Sequence, residues 1–158
     1  MPKPNPTLKD LETLVGVWDM EITNARFLPN PSATVQGQVS FEWIEGGDFL
    51  VMRQGKRAVG SPYAVWLFGR DESADDYVAL YCDDRRVSRI YRMRFSGSEW
   101  QQWREAPGLF HRFKGTVSKD GSRITASWEV SSDDGKHWEH DFDLTYRRRR
   151  RGPRGRSR

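Results

Sequence analysis

The sequence predicts an all-β fold: an up-and-down antiparallel barrel of about nine or ten strands, entered through one short helix. Three observations carry that prediction. From Val17 onward, apolar and polar residues alternate with a period of two in run after run. Tight turn sequences such as Gly46-Gly47-Asp48, Ser96-Gly97-Ser98 and Lys119-Asp120-Gly121-Ser122 separate the runs. No helical pattern lies between them, which excludes a parallel βαβ sheet, and a meander this long avoids exposed edges by curling shut.

The elements follow in order. Thr7-Leu8-Lys9-Asp10 reads as a capping box, and Leu8, Leu11, Leu14 and Val15 form the apolar stripe of a helix that Gly16 stops. Trp18 to Thr23 is the first strand. In the second, Val35, Val39, Phe41 and Trp43 alternate with Gln36, Gln38, Ser40 and Glu42. Further strands are expected over Phe49–Arg53, Tyr63–Phe68, Tyr77–Cys82, Val87–Phe95, Glu99–Trp103, Leu109–Val117, Ile124–Val130 and Trp138–Tyr146.

At 158 residues the chain suits one domain. Its mean hydropathy of −0.82 is polar, yet 7 Trp, 5 Tyr and 8 Phe are more rings than a disordered chain carries. No run approaches the roughly 18 apolar residues of a membrane span. The N-terminus lacks the apolar stretch of a secretion signal, so a cytoplasmic location is expected. The single Cys82 excludes an internal disulfide. Charge is uneven: eight of the 26 basic residues are arginines within residues 147–158, leaving 18 basic against 22 acidic before them. Residues 1–6 are expected to be a flexible Pro-rich start, 7–148 the barrel, and 149–158 a disordered Arg-rich tail. Such a tail suits nonspecific contact with nucleic acid or an anionic surface.

Alternation also nominates the lumen. Phe49, Val51 and Arg53 share one face, as do Tyr77, Ala79 and Tyr81, and Val87, Arg89, Tyr91, Met93 and Phe95. Leu109, His111, Phe113 and Val117 share another. In the last strand Trp138, His140, Phe142, Leu144 and Tyr146 form the apolar face, so His140 is expected inside. The expected cavity is aromatic with a few polar groups: Arg53, Tyr81, Arg89, Tyr91, His111 and His140, with Trp103, Phe113 and Trp128 as walls. Inward acids are scarce, and arginines in an apolar lumen need a partner or an anionic ligand.

Gly16-Val17-Trp18, opening the first strand after a short helix, resembles the Gly-x-Trp signature of lipocalin-like (calycin) barrels. That resemblance implies a basic side chain of the last strand over the Trp18 ring, here Arg147 or Arg148. A longer similarity is to a bacterial lipocalin-like family of unknown function. It runs through Leu11-x-x-Leu14-x-Gly16-x-Trp18, Trp43-Ile44-x-Gly46-Gly47-x-Phe49-Leu50, Tyr81-x-Asp83 with Arg89-x-Tyr91, and Trp128-Glu129-x-Ser131-x-Asp133-Asp134-Gly135-x-x-Trp138. It covers nearly all of residues 8–147 and implies the barrel. Nitrobindins, more distantly similar, bind haem through a late-strand His, which would make His140 an axial ligand.

The functional expectation is a binding protein, monomeric or homodimeric. Its lumen takes a small, mostly apolar or aromatic molecule with an anionic or carbonyl group, and no cofactor is expected. The alternatives are haem at His140, or a cyclase or isomerase using acid–base groups such as Tyr91 and His111. No P-loop, nucleophile elbow or dinucleotide fingerprint occurs.

Overall fold

The computed structural model describes residues 3–55 and 63–150. Ten strands form one closed antiparallel barrel: β1 (Gly16–Thr23), β2 (Val35–Ile44), β3 (Phe49–Gln54), β4 (Ala64–Arg70), β5 (Tyr77–Asp83), β6 (Ser88–Ser96), β7 (Glu99–Ala106), β8 (Leu109–Val117), β9 (Arg123–Ser131) and β10 (Glu139–Arg148). Each strand bonds its sequence neighbours, and β10 returns to β1 with Trp18 opposite Arg148 and Ile22 opposite Leu144. Among the described residues, no helix is long and apolar enough to cross a membrane.

The opening helix, Pro6–Leu14, is 3₁₀ rather than α. Its buried residues, Leu8, Leu11 and Leu14, recur every three positions, which suits three residues per turn. Val15 falls outside that stripe and leaves the helix as its C-cap. The cap at the other end is Asn5 instead of Thr7. Its side-chain oxygen accepts the Thr7 N–H at 3.0 Å and the Thr7 hydroxyl at 2.8 Å. Within the Pro-rich start, the Asn5 N–H donates to the Gly47 carbonyl at 2.8 Å. Gly47 has φ 105°, and a Cβ there would sit 2.5 Å from the Lys3 carbonyl oxygen. Only glycine admits that approach.

The three leucines seal one end of the barrel against β3, β4 and β6. Trp18 lies fully buried behind them and donates its indole N–H to the Leu14 carbonyl at 2.9 Å. The Arg148 guanidinium stacks 4.1 Å from the Trp18 ring. It also donates to the carbonyls of Val15, Thr13 and Gly121. The covering residue is therefore Arg148. Arg147 is exposed, because alternation on β10 sends Tyr146 and Arg148 to one side and Arg147 to the other. Gly16 completes the unit: at φ 135° a Cβ would press to 2.8 Å from an Arg148 guanidinium nitrogen.

Pairing continues past the expected domain end. The Arg149 N–H donates to the Val17 carbonyl at 2.8 Å, and its side chain reaches Asp19 at 2.6 Å. The remaining tail, 151–158, lies outside the described residues, as do Met1 and Pro2.

Three strands present faces that differ from the expected ones. On β3 the inward residues are Leu50, Met52 and Gln54, while Arg53 is exposed and ion-paired with Glu42. Four successive apolar residues, Phe49 to Met52, carry no alternation from which to read the face. On β7, Trp100 and Gln102 face inward, and Trp103 lies outside beneath the Arg94 guanidinium at 5.1 Å. On β10 a bulge between His140 and Phe142 makes Asp141 an extra residue. It reverses the phase, leaving Phe142, Leu144 and Tyr146 inside and His140 exposed outside, bonded to Asp143 at 2.8 Å.

Replacing Arg148 by Lys should destabilise the barrel by about 2–3 kcal/mol in urea unfolding. A point ammonium cannot serve three carbonyls and cover an indole together. Arg147→Ala should change stability by less than about 0.5 kcal/mol, as an exposed substitution does. Equal losses from the two variants would contradict this account of the seal.

Candidate functional site

Below the seal the barrel is solid, filled by Phe41, Leu50, Phe68, Met93 and Ile124, all almost fully buried. Toward the opposite end, where the β5–β6, β7–β8 and β9–β10 connections gather, it opens into a cavity of about 460 Å³. That volume suits one small ligand. The cavity walls are aromatic. Trp66 lies 4.7 Å from Tyr81, 5.2 Å from Tyr91 and 6.2 Å from Trp128 between ring centroids. Phe113 meets Trp128 at 5.0 Å and Trp100 at 4.8 Å. Neighbouring strands on one inner face bring such rings together, in the tilted and edge-on geometries aromatic pairs favour.

Of the residues named from sequence, Tyr81, Arg89, Tyr91, His111, Phe113 and Trp128 line this cavity. Arg53, Trp103 and His140 do not. With His140 outside the wall, the haem reading loses its axial ligand. Sequence reasoning missed Trp66, Trp100 and Gln102. Trp66 sits in a strand apolar on both faces, and the run Trp100-Gln101-Gln102-Trp103 reads the same from either end.

The mouth carries both signs of charge, since Asp83, Asp84 and Asp141 line it together with Arg85 and Arg89, so acids are less scarce there than the sequence led one to expect. Asp83 is nearly enclosed and accepts from the Tyr81 hydroxyl at 2.7 Å and from Arg85 at 2.6 and 2.9 Å. Burial pushes the Asp83 carboxyl up, but the bonds from Arg85, Tyr81 and two backbone N–H groups outweigh it and hold the carboxyl at about 2. Arg85 is thus neutralised. Arg89 and Arg104 are not: among the described residues neither forms an ion pair with a carboxylate. Arg89 stands beside the Tyr91 hydroxyl. Arg104 follows Trp100 and Gln102 on the inward phase of β7 and pairs in register with His111. The β6–β7 ladder ends at Arg92 opposite Trp103, and a second hollow opens beyond it, lined by both arginines.

His111 is 8% exposed. Burial, then the charges of Arg89 and Arg104, push its imidazole down to about 4. At neutral pH it is an uncharged hydrogen-bonding group whose Nδ1 has no partner. Burial first, and then Asp83, raise the Tyr81 hydroxyl well above its ordinary value; burial also raises that of Tyr91. Both remain protonated donors.

Across the mouth, residues 24–34 cross the start of β10. The Arg26 N–H donates to the carbonyl of the bulged Asp141 at 3.0 Å, and the Asn24 side chain donates to Asp143 at 2.8 Å. Phe27, 56% exposed, meets Phe142 edge-on at 5.5 Å and forms part of the cavity rim.

No family model and no curated protein matches the sequence. Among solved structures, the chain is similar to the crystal structure of Rv2717c from M. tuberculosis, with a TM-score of 0.58 and 13% identity. The match covers 94% of this chain and 100% of that one. At that identity the likeness is one of fold, the closed barrel.

The His111 environment sets a pH dependence. Unfolded, the imidazole takes a proton near 6.5; in the barrel it does so only near 4. Between those values the unfolded chain binds more protons, so stability falls as pH falls, by roughly 3 kcal/mol in all, and this contribution levels off below pH 4. Urea unfolding of His111→Phe should lack that slope between pH 6.5 and 4. Parallel curves for the two proteins would show that His111 titrates normally.

Proposed function

We propose that the barrel binds a small aromatic or largely apolar molecule carrying an anionic group, with its ring system in the lumen and its anion at the mouth. The observation that carries this reading is Arg89, which lines the aromatic cavity, with Arg104 beside it in the adjoining hollow and its charge felt at His111; neither forms an ion pair among the described residues. Cations at a partly desolvated rim are costly without a counter-charge, and a carboxylate or sulfonate supplies one through charge-assisted hydrogen bonds. The walls suit a flat ring system, since Trp66, Tyr91, Phe113 and Trp128 offer faces and edges for stacking. Tyr91, kept protonated, is a donor for a carbonyl or a second anion oxygen, while the Tyr81 hydroxyl is already given to Asp83. The resemblance to lipocalin-like barrels, now with Gly16, Trp18 and Arg148 as its seal, supports a ligand in the lumen.

Titration calorimetry with 2-naphthoate tests it. Arg89→Gln and Arg104→Gln should each weaken binding roughly tenfold or more, and raised salt should weaken it in the wild type. Arg53→Gln, on the outer wall, should bind as the wild type does. Heat-silent titration, or affinity indifferent to both lumen arginines, would refute the reading.

A further inference from the structure

The inward face of β7 holds polar groups that an anion at the mouth leaves unused. Trp100 is 1% exposed and Gln102 3% exposed, and both line the cavity. Trp100 Nε1 and Gln102 Oε1 have no hydrogen-bond partner. The indoles of Trp18 and Trp43, by contrast, donate to the Leu14 carbonyl and the Glu12 carboxylate. Buried polar atoms without partners are rare, and each costs about 1–3 kcal/mol. Among the described residues three side chains carry one, Trp100, Gln102 and His111, and all three belong to this cavity. All three therefore gather around the part of the interior that side chains leave unfilled.

Building on the reading above, we propose that Trp100 and Gln102 form an inner subsite for a ligand hydroxyl, at the end of the molecule remote from the anion held by Arg89 and Arg104. The chemistry selects that group. An indole N–H only donates, and an amide oxygen only accepts. A hydroxyl accepts from the first and donates to the second with one atom. An ether or ketone satisfies Trp100 alone, and a second carboxylate would set negative charge against the Gln102 oxygen. Spacing fits as well. Trp100, Gln102 and Arg104 occupy alternate positions of one strand, about 6.7 Å per step, so subsite and guanidinium suit the two ends of a fused two-ring aromatic.

Three probes separate the contributions by calorimetry: 6-hydroxy-2-naphthoate, 6-methoxy-2-naphthoate and 2-naphthoate. The hydroxyl compound should bind roughly ten- to a hundredfold more tightly than either of the others. Gln102→Leu, which keeps the shape of the site, should erase its advantage over the methoxy compound. Trp100→Phe should weaken the 6-hydroxy and 6-methoxy compounds and leave 2-naphthoate unchanged. Equal binding of hydroxyl and methoxy compounds to the wild type overturns the subsite, since two donors or ordered water would then face the cavity. The neutral pair 2-naphthol and 2-methoxynaphthalene, titrated into Arg89→Gln, tests the subsite without the anion. A surviving hydroxyl preference there, with carboxylates binding no better than neutral compounds, sinks the anion reading alone. Lack of binding by all five compounds sinks both.

Discussion

The β1–β10 ladder, running from Trp18 opposite Arg148 to Thr23 opposite Asp143, turns a meander with two free edges into a barrel with none. Once the sheet is closed, every strand has one face toward a common interior, and alternation along the chain becomes a choice between lumen and solvent. The seal at one end depends on that closure. Arg148 covers Trp18 because β10 lies beside β1 in this register, and its guanidinium reaches the helix carbonyls of Thr13 and Val15 from the same place. Gly16 is glycine for the same reason, because the guanidinium occupies the space a side chain would need.

The barrel is asymmetric along its axis. At the sealed end, aliphatic and aromatic side chains fill the interior, and the buried Trp18 donor has its acceptor. At the open end, rings line a cavity and polar atoms stand without partners. Strand β7 records the change residue by residue: Trp100 near the floor, Gln102 midway and Arg104 at the rim, all on one phase. The rim is divided too. Asp83, Arg85 and Tyr81 form a closed set of bonds, Arg26 engages Asp141 and Glu139, and Arg89 and Arg104 form no ion pair with a carboxylate among the described residues.

Much of this was legible wherever one face of a strand is plainly polar. β6 and β8 read correctly, and with them Arg89, Tyr91, His111 and Phe113, because Arg92, Arg94, Arg112 and Lys114 mark the outer face. Legibility failed for three physical reasons. A run apolar on both faces hides the phase, as in Phe49 to Met52, which cost Arg53 its expected place. A palindromic run hides it as well, as in Trp100 to Trp103. A bulge shifts the phase partway along a strand, and that is what carried His140 from the lumen to the surface. The closing arginine was legible only to within one residue, since the register that selects Arg148 over Arg147 arises from pairing with a strand more than 120 residues earlier.

A packed barrel of this size could have filled its open end with apolar side chains, as it fills the sealed one. It instead keeps an indole N–H, an amide oxygen and an uncharged imidazole unpartnered beside two arginines that form no ion pair among the described residues. Each works against the stability of the folded chain, by desolvation or by like-charge repulsion. Elsewhere local rules agree with one another: turn acids cap their turns, outer arginines find acids, and buried Trp18 finds its carbonyl. Departures gathered at one cavity, against a background of agreement, are what the proposed binding role would require. The same groups that work against the stability of the fold are the ones a complementary ligand would satisfy, so binding and stability are two readings of one set of atoms.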